Sequence, residues 1–285
     1  MKPPPFDYAA PESLDEAIGL LAGDHEAKLL AGGQSLVPLL SMRLAYPDLL
    51  VDLRRIDGLD EISESDGHLV IGAMVRQLRA ETSDAVAARC PLIVQALGQV
   101  AHPQIRARGT VGGSIAHADP AGELPAVAVA LDARARVRGP GGERLVPAAD
   151  LYRGIFTTSL AEAEIVSAVE FPVADDGAGS ACVEVARRQG DYALCGAVAQ
   201  VSTVDGVVAG ARLALFGVAD RPLRASAAEA ELRETPAGEA PGVAAANVAQ
   251  EIAFGNDPEV SAGYRRQIAA VSARRAIAQA LEAAA

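Results

Sequence analysis

Two glycine pairs are the residues of this sequence whose type and spacing could do chemistry. One pair lies in Ala31–Ser35 (AGGQS) and the other in Thr110–Ser114 (TVGGS). Glycine reaches positive φ and lets another group come close to the backbone. Successive amide N–H groups in such a turn can bind a pyrophosphate, and nearby Gln, Ser and Thr side chains can add hydrogen bonds. The pattern therefore indicates an anion site built from two segments.

Neither glycine segment is a nucleotide signature on its own, because most Gly-Gly turns only connect two elements. Neither segment fits the G-x-G-x-x-G pattern of dinucleotide-binding Rossmann units or the G-x-x-x-x-G-K-[ST] pattern of P-loops. Both of those folds are therefore disfavoured. The residues alone leave two interpretations open, an anion site and plain turns.

Four residues on either side of the second glycine segment could be considered as metal ligands: His102, His117, Asp119 and Glu123. Their spacing fits no common zinc or iron pattern, so hydrogen bonding within a loop is the favoured interpretation and no metal site is predicted. There is also no G-x-S-x-G motif and no cysteine with a convincing histidine partner. No catalytic residue is therefore assigned to this chain.

The cysteines and the charge exclude several other classes. Cys90, Cys182 and Cys195 are dispersed without C-x-x-C spacing, so we expect buried thiols and no disulfide framework, zinc or iron–sulfur cluster within the chain. A formal charge of −12 argues against a nucleic-acid partner. The N-terminus lacks the apolar region of a signal peptide, and no stretch is long enough for a membrane span, so a soluble cytoplasmic protein is expected.

The elements that must position the glycine segments alternate between strand and helix patterns, which is typical of an α/β or an α+β fold, and strands followed by helices favour α+β for the C-terminal domain. The polar, glycine-rich run Ala174–Ser180 is the best internal boundary, and the predicted domains are residues 1–58, 59–175 and 176–285. Predicted strands are Ala27–Ala31, Leu49–Ile56, His68–Val75, Arg134–Arg138, Glu143–Val146, Ile165–Pro172, Ala181–Val185, Ala193–Val201 and Val207–Phe216. Predicted helices are one behind the cap Ser13, then Leu36–Leu44, Asp84–Gly98 with an interruption at Pro91, 225–233, 242–253 and 262–284.

Six stretches resemble, in order, the flavin subunits of the carbon monoxide dehydrogenase and xanthine dehydrogenase family. They are AKLLAGGQSLVPLLSMRL, DLRRI, IGAMV, AHPQIRARGTVGGSIAHADPAGELPAV, EIVSAVEFP and RRQGDYAL. The resemblance covers essentially the whole chain. It implies a two-subdomain FAD-binding fold of the vanillyl-alcohol oxidase type, followed by an α+β C-terminal domain with a three-stranded sheet and helices.

The resemblance also implies site residues. The two glycine segments would wrap the FAD diphosphate, Glu123 would bond the ribityl or phosphate region, and Tyr192 would pack against the isoalloxazine ring. By its chemistry alone, Tyr192 is equally typical of a core residue. The implied FAD-binding set is Leu30, Ala31, Gly32, Gly33, Gln34, Ser35, Leu36, Val100 near the flavin, Thr110, Val111, Gly112, Gly113, Ser114, Glu123, Val166 beside the adenine, and Tyr192.

One departure concerns the residues before the pair Arg187-Arg188. Many relatives have a lysine there, where this chain has Val183-Glu184, so a role of that lysine near the flavin edge does not carry over. Arg187 and Arg188 themselves remain open between an FAD phosphate, a partner protein and a solvated pair.

The resemblance implies a division of labour within a molybdenum hydroxylase. A large molybdopterin subunit would transform the substrate, a small subunit would hold two [2Fe–2S] clusters, and this chain would pass their electrons through FAD to an external acceptor. A dimer of heterotrimers is expected. The alternatives are a self-sufficient FAD-dependent oxidoreductase of the same flavin fold, for which the sequence shows no acid–base groups, and an assembly scaffold with vestigial FAD, against which the intact glycine segments count.

Overall fold

The computed structural model describes residues 1–23, 25–252 and 260–284. The first unit is a three-stranded parallel sheet, in the order β1-β3-β2, with short helices between its strands. Ser13 accepts a hydrogen bond from the amide of Glu16 at 3.2 Å, as the predicted cap requires. The elements are β1 (Asp7–Ala9), α1 (Leu14–Leu21), β2 (Ala27–Leu30), α2 (Leu36–Ser41) and β3 (Leu49–Asp52).

The strand predicted over Leu49–Ile56 ends early, at Asp52. The buried Asp52 carboxylate accepts hydrogen bonds from the Arg54 amide at 3.0 Å and from the Tyr8 hydroxyl at 2.8 Å. The bond to Arg54 bends the chain into a single 3-10 turn over Leu53–Arg55. A side-chain cap has therefore stopped an apolar run that would otherwise read as one strand.

The second unit is built on a five-stranded sheet in the order β4-β5-β10-β6-β7. Six helices lie between β5 and β6 in the sequence, and the predicted hairpin through Pro140 is formed by β6 and β7. The elements are β4 (Ile62–Ser65), β5 (His68–Gly72), α3 (Gln77–Glu81), α4 (Asp84–Arg89), α5 (Pro91–Gln99), α6 (Pro103–Arg106), α7 (Val111–His117), α8 (Glu123–Ala130), β6 (Arg134–Gly139), β7 (Gly142–Pro147), α9 (Ala148–Leu151), β8 (Tyr152–Gly154), β9 (Thr157–Thr158) and β10 (Ile165–Pro172).

The predicted strand His68–Val75 also ends early, at Gly72. Its backbone passes so close to the carbonyl of Leu59 that a Cβ at Gly72 would overlap it, and the next amide, Ala73, donates to Ser167 O at 2.9 Å. The chain thus leaves the sheet and heads towards the second glycine segment. Helix α2 similarly ends at Ser41 rather than Leu44.

The C-terminal unit pairs an antiparallel sheet with three helices. The predicted three long strands are present, and a two-residue strand, β14, adds a fourth at the edge beside β13. The elements are β11 (Gly179–Ala186), β12 (Ala193–Val204), β13 (Val207–Phe216), β14 (Leu223–Arg224), α10 (Ser226–Leu232), α11 (Ala240–Glu251) and α12 (Ala262–Ala283). The end of the helix predicted over 242–253 falls on residue 253, which lies outside the described residues.

The helix α8 and the strand β11 join the second and third units. α8 is apolar on all sides and buried along its length from Leu124 to Ala130, because it packs between α5 and the sheet that contains β12 and β13. On β11, Cys182 belongs to the core shared with α5 and α8, whereas Ala181 and Val183 belong to the core under α12. No helix in the described part of the chain is long and apolar enough to cross a membrane.

Candidate functional site

The first glycine segment leaves β2 and turns into α2. Gly33 has φ +72°, a conformation in which any other residue is strained. The side-chain amide of Gln34 donates to Gly32 O at 3.0 Å and so braces the turn. Among the described hydrogen bonds, none comes from the backbone N–H groups of Gly33, Gln34 or Ser35. These consecutive donors are available for an anion.

The second glycine segment is the first turn of a helix rather than an open loop. Thr110 caps α7 by accepting from the Gly113 amide at 3.0 Å. The amides of Val111 and Gly112 donate to Val75 O and Ala73 O, each at 3.0 Å, and that of Ser114 donates to Thr110 O at 3.1 Å. The expectation that this segment supplies free backbone donors is therefore wrong, because its amides already hold it against the chain that follows β5.

The two glycine segments lie against each other. A Cβ at Gly32 would overlap Arg108 O and stand 2.8 Å from the Cα of Gly109, just before the Thr110 cap. A Cβ at Gly113 would stand 3.5 Å from the Cβ of Ala31. Side chains are thus missing where the two backbones approach, and this leaves a cradle with free amides on one wall and Thr110 and Ser114 on the other.

Glu123 and Tyr192 come together through the turn that precedes α8. Glu123 is the first residue of α8, and the preceding Pro120 accepts a hydrogen bond from the Gly217 amide at 2.8 Å. Gly217 in turn packs on Ala193, next to Tyr192, where a Cβ would stand 2.9 Å from Ala193 O. The Tyr192 side chain is left 73% exposed. An exposed aromatic ring beside a buried carboxyl is a ready surface for a flat ligand.

The carboxyl of Glu123 is held largely in its neutral form. Burial raises its pKa to about 8, and the nearby carboxylates of Glu184 and Asp119 raise it further. The pKa of the Tyr192 hydroxyl is also raised, by partial desolvation and by the charges of Asp119 and Glu123. These shifts identify a small acidic environment around Tyr192.

Val100 ends α5 and is held by a buried arginine. Arg106 donates to Val100 O at 2.8 Å and forms a two-pronged ion pair with Glu81, at 2.6 and 2.9 Å. The next residue, Ala101, has φ +41° and contacts the backbone of Gly190, in the loop that ends at Tyr192. Val100 therefore lies in the same neighbourhood as Tyr192.

Val166 lies apart from those two residues, on β10 behind the glycine segments. It is 5% exposed and opposite Val137, next to an irregularity at Ser167 that sends the Ser167 carbonyl to the Ala73 amide. Leu30 and Leu36 flank the first glycine segment, at the end of β2 and the start of α2. The sequence-predicted residues thus divide between a cradle at the glycine segments and a second group near Tyr192.

Two features of the site escaped sequence reasoning. Phe156 is exposed at the turn between β8 and β9, has φ +52°, and stacks on His117 with ring centroids 4.8 Å apart. Glu184 lies on β11, and its Oε2 is buried without a hydrogen-bond partner among the described residues. The signal for Glu184 was a single charged residue in the otherwise apolar run GSACVEVA. The signal for Phe156 was an apolar pair inside a turn.

No metal centre is formed by the residues that were weighed as ligands. His117 stacks on Phe156, and His102 packs against Gly190. Across residues 1–23, 25–252 and 260–284, no group of three or more His, Cys, Asp or Glu side chains is arranged to hold a metal ion.

Profiles of two protein families match the chain in succession. The FAD binding domain in molybdopterin dehydrogenase matches residues 4–174, and the CO dehydrogenase flavoprotein C-terminal domain matches residues 180–280. The chain belongs to the flavoprotein subunits of the molybdopterin dehydrogenases. It is an FAD-binding subunit of an oxidoreductase complex, and the mixed helix-and-strand fold expected from the sequence is confirmed.

Individual relatives match over nearly their full lengths. The 6-hydroxypseudooxynicotine dehydrogenase complex subunit alpha of Paenarthrobacter nicotinovorans is 41% identical, covering 99% of this chain and 96% of the relative. A structure of the carbon monoxide dehydrogenase from Hydrogenophaga pseudoflava that lacks the Mo-pyranopterin moiety of its cofactor contains a chain with 38% identity, complete coverage of both chains and a TM-score of 0.96. A structure of quinoline 2-oxidoreductase from Pseudomonas putida 86 contains a chain that is 39% identical. The match covers 100% of this chain and 99% of that chain, with a TM-score of 0.94.

These full-length matches to subunits of named complexes support the subunit interpretation over a self-sufficient flavoenzyme. The similar chains of the carbon monoxide dehydrogenases from Hydrogenophaga pseudoflava and Afipia carboxidovorans are named medium chains, which implies larger and smaller partner subunits in those complexes. The residues of the site fit FAD by their own chemistry. The glycine cradle offers unpaired amides for a diphosphate, and Tyr192 offers an exposed ring for the isoalloxazine.

Proposed function

We propose that the two glycine segments hold the FAD diphosphate and that Tyr192 and Glu123 lie at its isoalloxazine and ribityl end. The observation that carries this proposal is the run of backbone amides from Gly33 to Ser35, which donate none of the described hydrogen bonds, on a segment that packs against the second one where Gly32 and Gly113 have no side chains. Backbone donors of this kind are suited to phosphate oxygens. The full proposed set is Leu30, Ala31, Gly32, Gly33, Gln34, Ser35, Leu36, Val100, Thr110, Val111, Gly112, Gly113, Ser114, Glu123, Val166 and Tyr192.

The work of the chain's own residues is to bind, orient and shield the cofactor. When bound, FAD supplies one- and two-electron redox chemistry. Thr110 and Ser114 present hydroxyl groups to the diphosphate, Gln34 keeps the first segment in its turn, and Tyr192 positions the ring system. Arg106 acts at a distance by fixing Val100. We assign no substrate-transforming residue to this chain.

The electrons enter from a partner subunit with two [2Fe–2S] clusters and leave to an external acceptor, and the large partner subunit binds molybdopterin. A dimer of heterotrimers is the assembly we propose. Supporting the division of labour, Cys90, Cys182 and Cys195 are all buried and separate. Supporting the acceptor's approach, a cleft of about 290 Å³ lined by Tyr192, Arg187 and Arg265 opens beside the proposed isoalloxazine position.

The substrate of the complex is set elsewhere. The three relatives described above belong to complexes named for 6-hydroxypseudooxynicotine, carbon monoxide and quinoline, yet they are about equally similar to this chain, at 41%, 38% and 39% identity. A flavin subunit that recognised the substrate would be expected to diverge with it. We therefore place substrate recognition on the molybdopterin subunit.

We also propose three domains, at residues 1–58, 59–175 and 176–285. Three hydrophobic clusters support this division, each built mainly on its own sheet. The second and third are joined, because Cys182, Val198 and Phe216 pack in the cluster of α5 and α8. We expect these two domains to unfold together.

The flavin site is tested by a pair of glycine substitutions at similar φ. Gly33→Asp places a negative charge in the cradle, whereas Gly67→Asp makes the same change at φ +74° in a turn with open space around it. We expect the purified wild-type and Gly67→Asp proteins to show flavin absorbance bands and Gly33→Asp to lose them. Equal flavin content in the two variants would contradict the proposed diphosphate position.

The isoalloxazine position is tested separately with tyrosines. Tyr192→Ala removes a ring that is 73% exposed, and Tyr46→Ala removes one that is 61% exposed on another surface. Only the first should weaken FAD binding, measured by quenching of flavin fluorescence. A wild-type affinity in Tyr192→Ala would show that the ring does not stack on the cofactor.

A further inference from the structure

On strand β11, one thiol side chain, Cys182, and one carboxyl side chain, Glu184, point towards the flavin-binding part of the chain. Side chains alternate along a strand, and Cys182 packs with α5 and α8 while Val183 packs under α12. Glu184 therefore points the same way as Cys182. Its cross-strand partner is Gly196, which has no side chain and is covered by the Phe216 ring. The half-buried side chain of Glu184 thus lies on the side of the sheet that packs against the Phe216 ring and α8.

One carboxyl oxygen of Glu184 lacks the hydrogen bond that a buried acceptor needs. Its Oε2 is buried with no partner among the described residues, and burying an unpaired ionised carboxylate is costly. Burial raises the pKa of Glu184 to about 7, in the same range as the value of about 8 for Glu123. The charges of Glu123 and Glu184 both raise the pKa of Cys182, which places the three groups in one cluster.

We propose, building on the flavin site above, that Glu123 and Glu184 form a carboxyl pair that takes up a proton from water when the flavin is reduced. The pair holds one proton beside the oxidised cofactor. Two electrons from the iron–sulfur centres, with one proton taken up by the ring, leave one additional negative charge on the flavin. That charge favours the neutral form of both carboxyls, so the remaining carboxylate gains a proton and no other bond changes.

The other titratable groups around the pair either favour proton uptake by the carboxyls or have no effect on it. Asp119, in the turn before α8, adds negative charge beside Glu123, and the charges of Asp119 and Glu123 raise the pKa of Tyr192, which precedes β12. Cys182 lies between them on β11, and burial raises its thiol pKa, so that it stays neutral. His117, on α7, is near Asp119, and burial lowers its pKa. Arg187 and Arg265 line the cleft beside Tyr192, and the raised pKa values of Glu123 and Glu184 arise without a contribution from either arginine.

The consequence is a flavin potential that depends more steeply on pH than the ring proton alone requires. For a two-electron couple, each proton taken up contributes about 30 mV per pH unit. Between about pH 7 and about pH 8, the range of the two carboxyls, we expect the wild-type slope to exceed this one-proton value. In Glu184→Gln, which cannot gain the proton, we expect the slope to fall to the one-proton value.

The experiment is a reductive titration of the full chain loaded with FAD, followed by flavin absorbance at several pH values. Glu61→Gln, an exposed acid on the loop before β4, serves as the control and should keep the wild-type slope. A one-proton slope in the wild type, or an unchanged slope in Glu184→Gln, would overturn the proposal.

A second readout covers the case in which Glu184→Gln does not fold or hold flavin. The reduced-minus-oxidised infrared spectrum of the wild-type protein should gain absorbance from a protonated carboxylic acid, and its absence would overturn the proposal on its own. A wild-type chain that binds no flavin, alone or with its partners, would instead refute the proposed site and this inference with it. The two failures are therefore distinguishable by the flavin spectrum.

Discussion

A Cβ on Gly113 would stand 3.5 Å from the Cβ of Ala31, so the two glycine segments meet although they are far apart in the sequence. The contact depends on the position of α7, which is fixed where Gly112 passes over Ala73. The cradle is therefore set by packing behind it as much as by the residues that line it.

Substituting Gly112 should damage the cradle from behind. A Cβ there would stand 2.6 Å from the Cα of Ala73, in a fully buried position, so Gly112→Ala should cost about 1–3 kcal/mol and weaken FAD binding. Gly19→Ala, in the exposed helix α1 with open space around it, should instead gain about 0.5–1 kcal/mol. Urea unfolding measures both, and a neutral Gly112→Ala would mean that α7 can shift freely.

The ion pair under Val100 should contribute far more to the free energy of unfolding than an ion pair on the surface. The Arg106 and Glu81 side chains are 9% and 18% exposed, so Arg106→Met leaves a carboxylate partly buried and should cost about 3–5 kcal/mol. The pair Arg89–Glu64 has a similar distance, 2.8 Å, but lies on the surface. Arg89→Met should cost no more than about 1 kcal/mol by the same unfolding assay. Similar losses in the two variants would contradict this difference.

Acid should destabilise the second domain through Glu170. Although burial alone would raise its pKa, hydrogen bonds from Arg136 and Arg134 hold the pKa below its ordinary value of 4.5. Stability from this group is present above 4.5 and is lost as the pH falls through the lower folded-state value. The free energy of unfolding should therefore drop in this range for the wild type and less steeply for Glu170→Gln. Glu61→Gln, an exposed acid on the loop before β4, should follow the wild type.

FAD affinity should fall at alkaline pH because of Glu123. Its pKa of about 8 means that the carboxyl is mostly neutral below this pH and becomes charged above it. A new negative charge beside a cofactor with an anionic diphosphate weakens binding. Titration of FAD by fluorescence should show this decline above about pH 8 in the wild type and little of it in Glu123→Gln. An equal decline in both would assign the effect to another group.

Much of the architecture was predictable because it rests on local signals. Ser13 and Glu16 mark the start of α1, Pro91 separates α4 from α5, and Asp205-Gly206 joins β12 to β13. Each of these residues restricts the backbone within a few positions of itself. One strand ended early because a more distant group intervened, at Gly72, whose backbone meets Leu59. Such a contact leaves no mark on the neighbouring sequence.

The residues of the candidate site could be proposed from the sequence, but their arrangement could not. The glycine pairs stand out by composition, yet the sequence could not show that the amides of Val111 and Gly112 are used by Val75 and Ala73. Glu184 was noted only as a departure from relatives. Its enclosure depends on Gly196 and Phe216, which belong to two other strands. Long-range packing of this sort is what the structure adds.

The burial of the three cysteines has a consequence for how the protein resists oxidation. Hydrogen peroxide attacks thiolates rather than thiols. Burial raises the pKa of Cys90 and of Cys195 to about 12, so roughly one molecule in 10⁵ is ionised at either position near neutral pH. Burial raises the pKa of Cys182 as well. The three thiols of the subunit should therefore react slowly with peroxide and remain reduced over many turnovers in air.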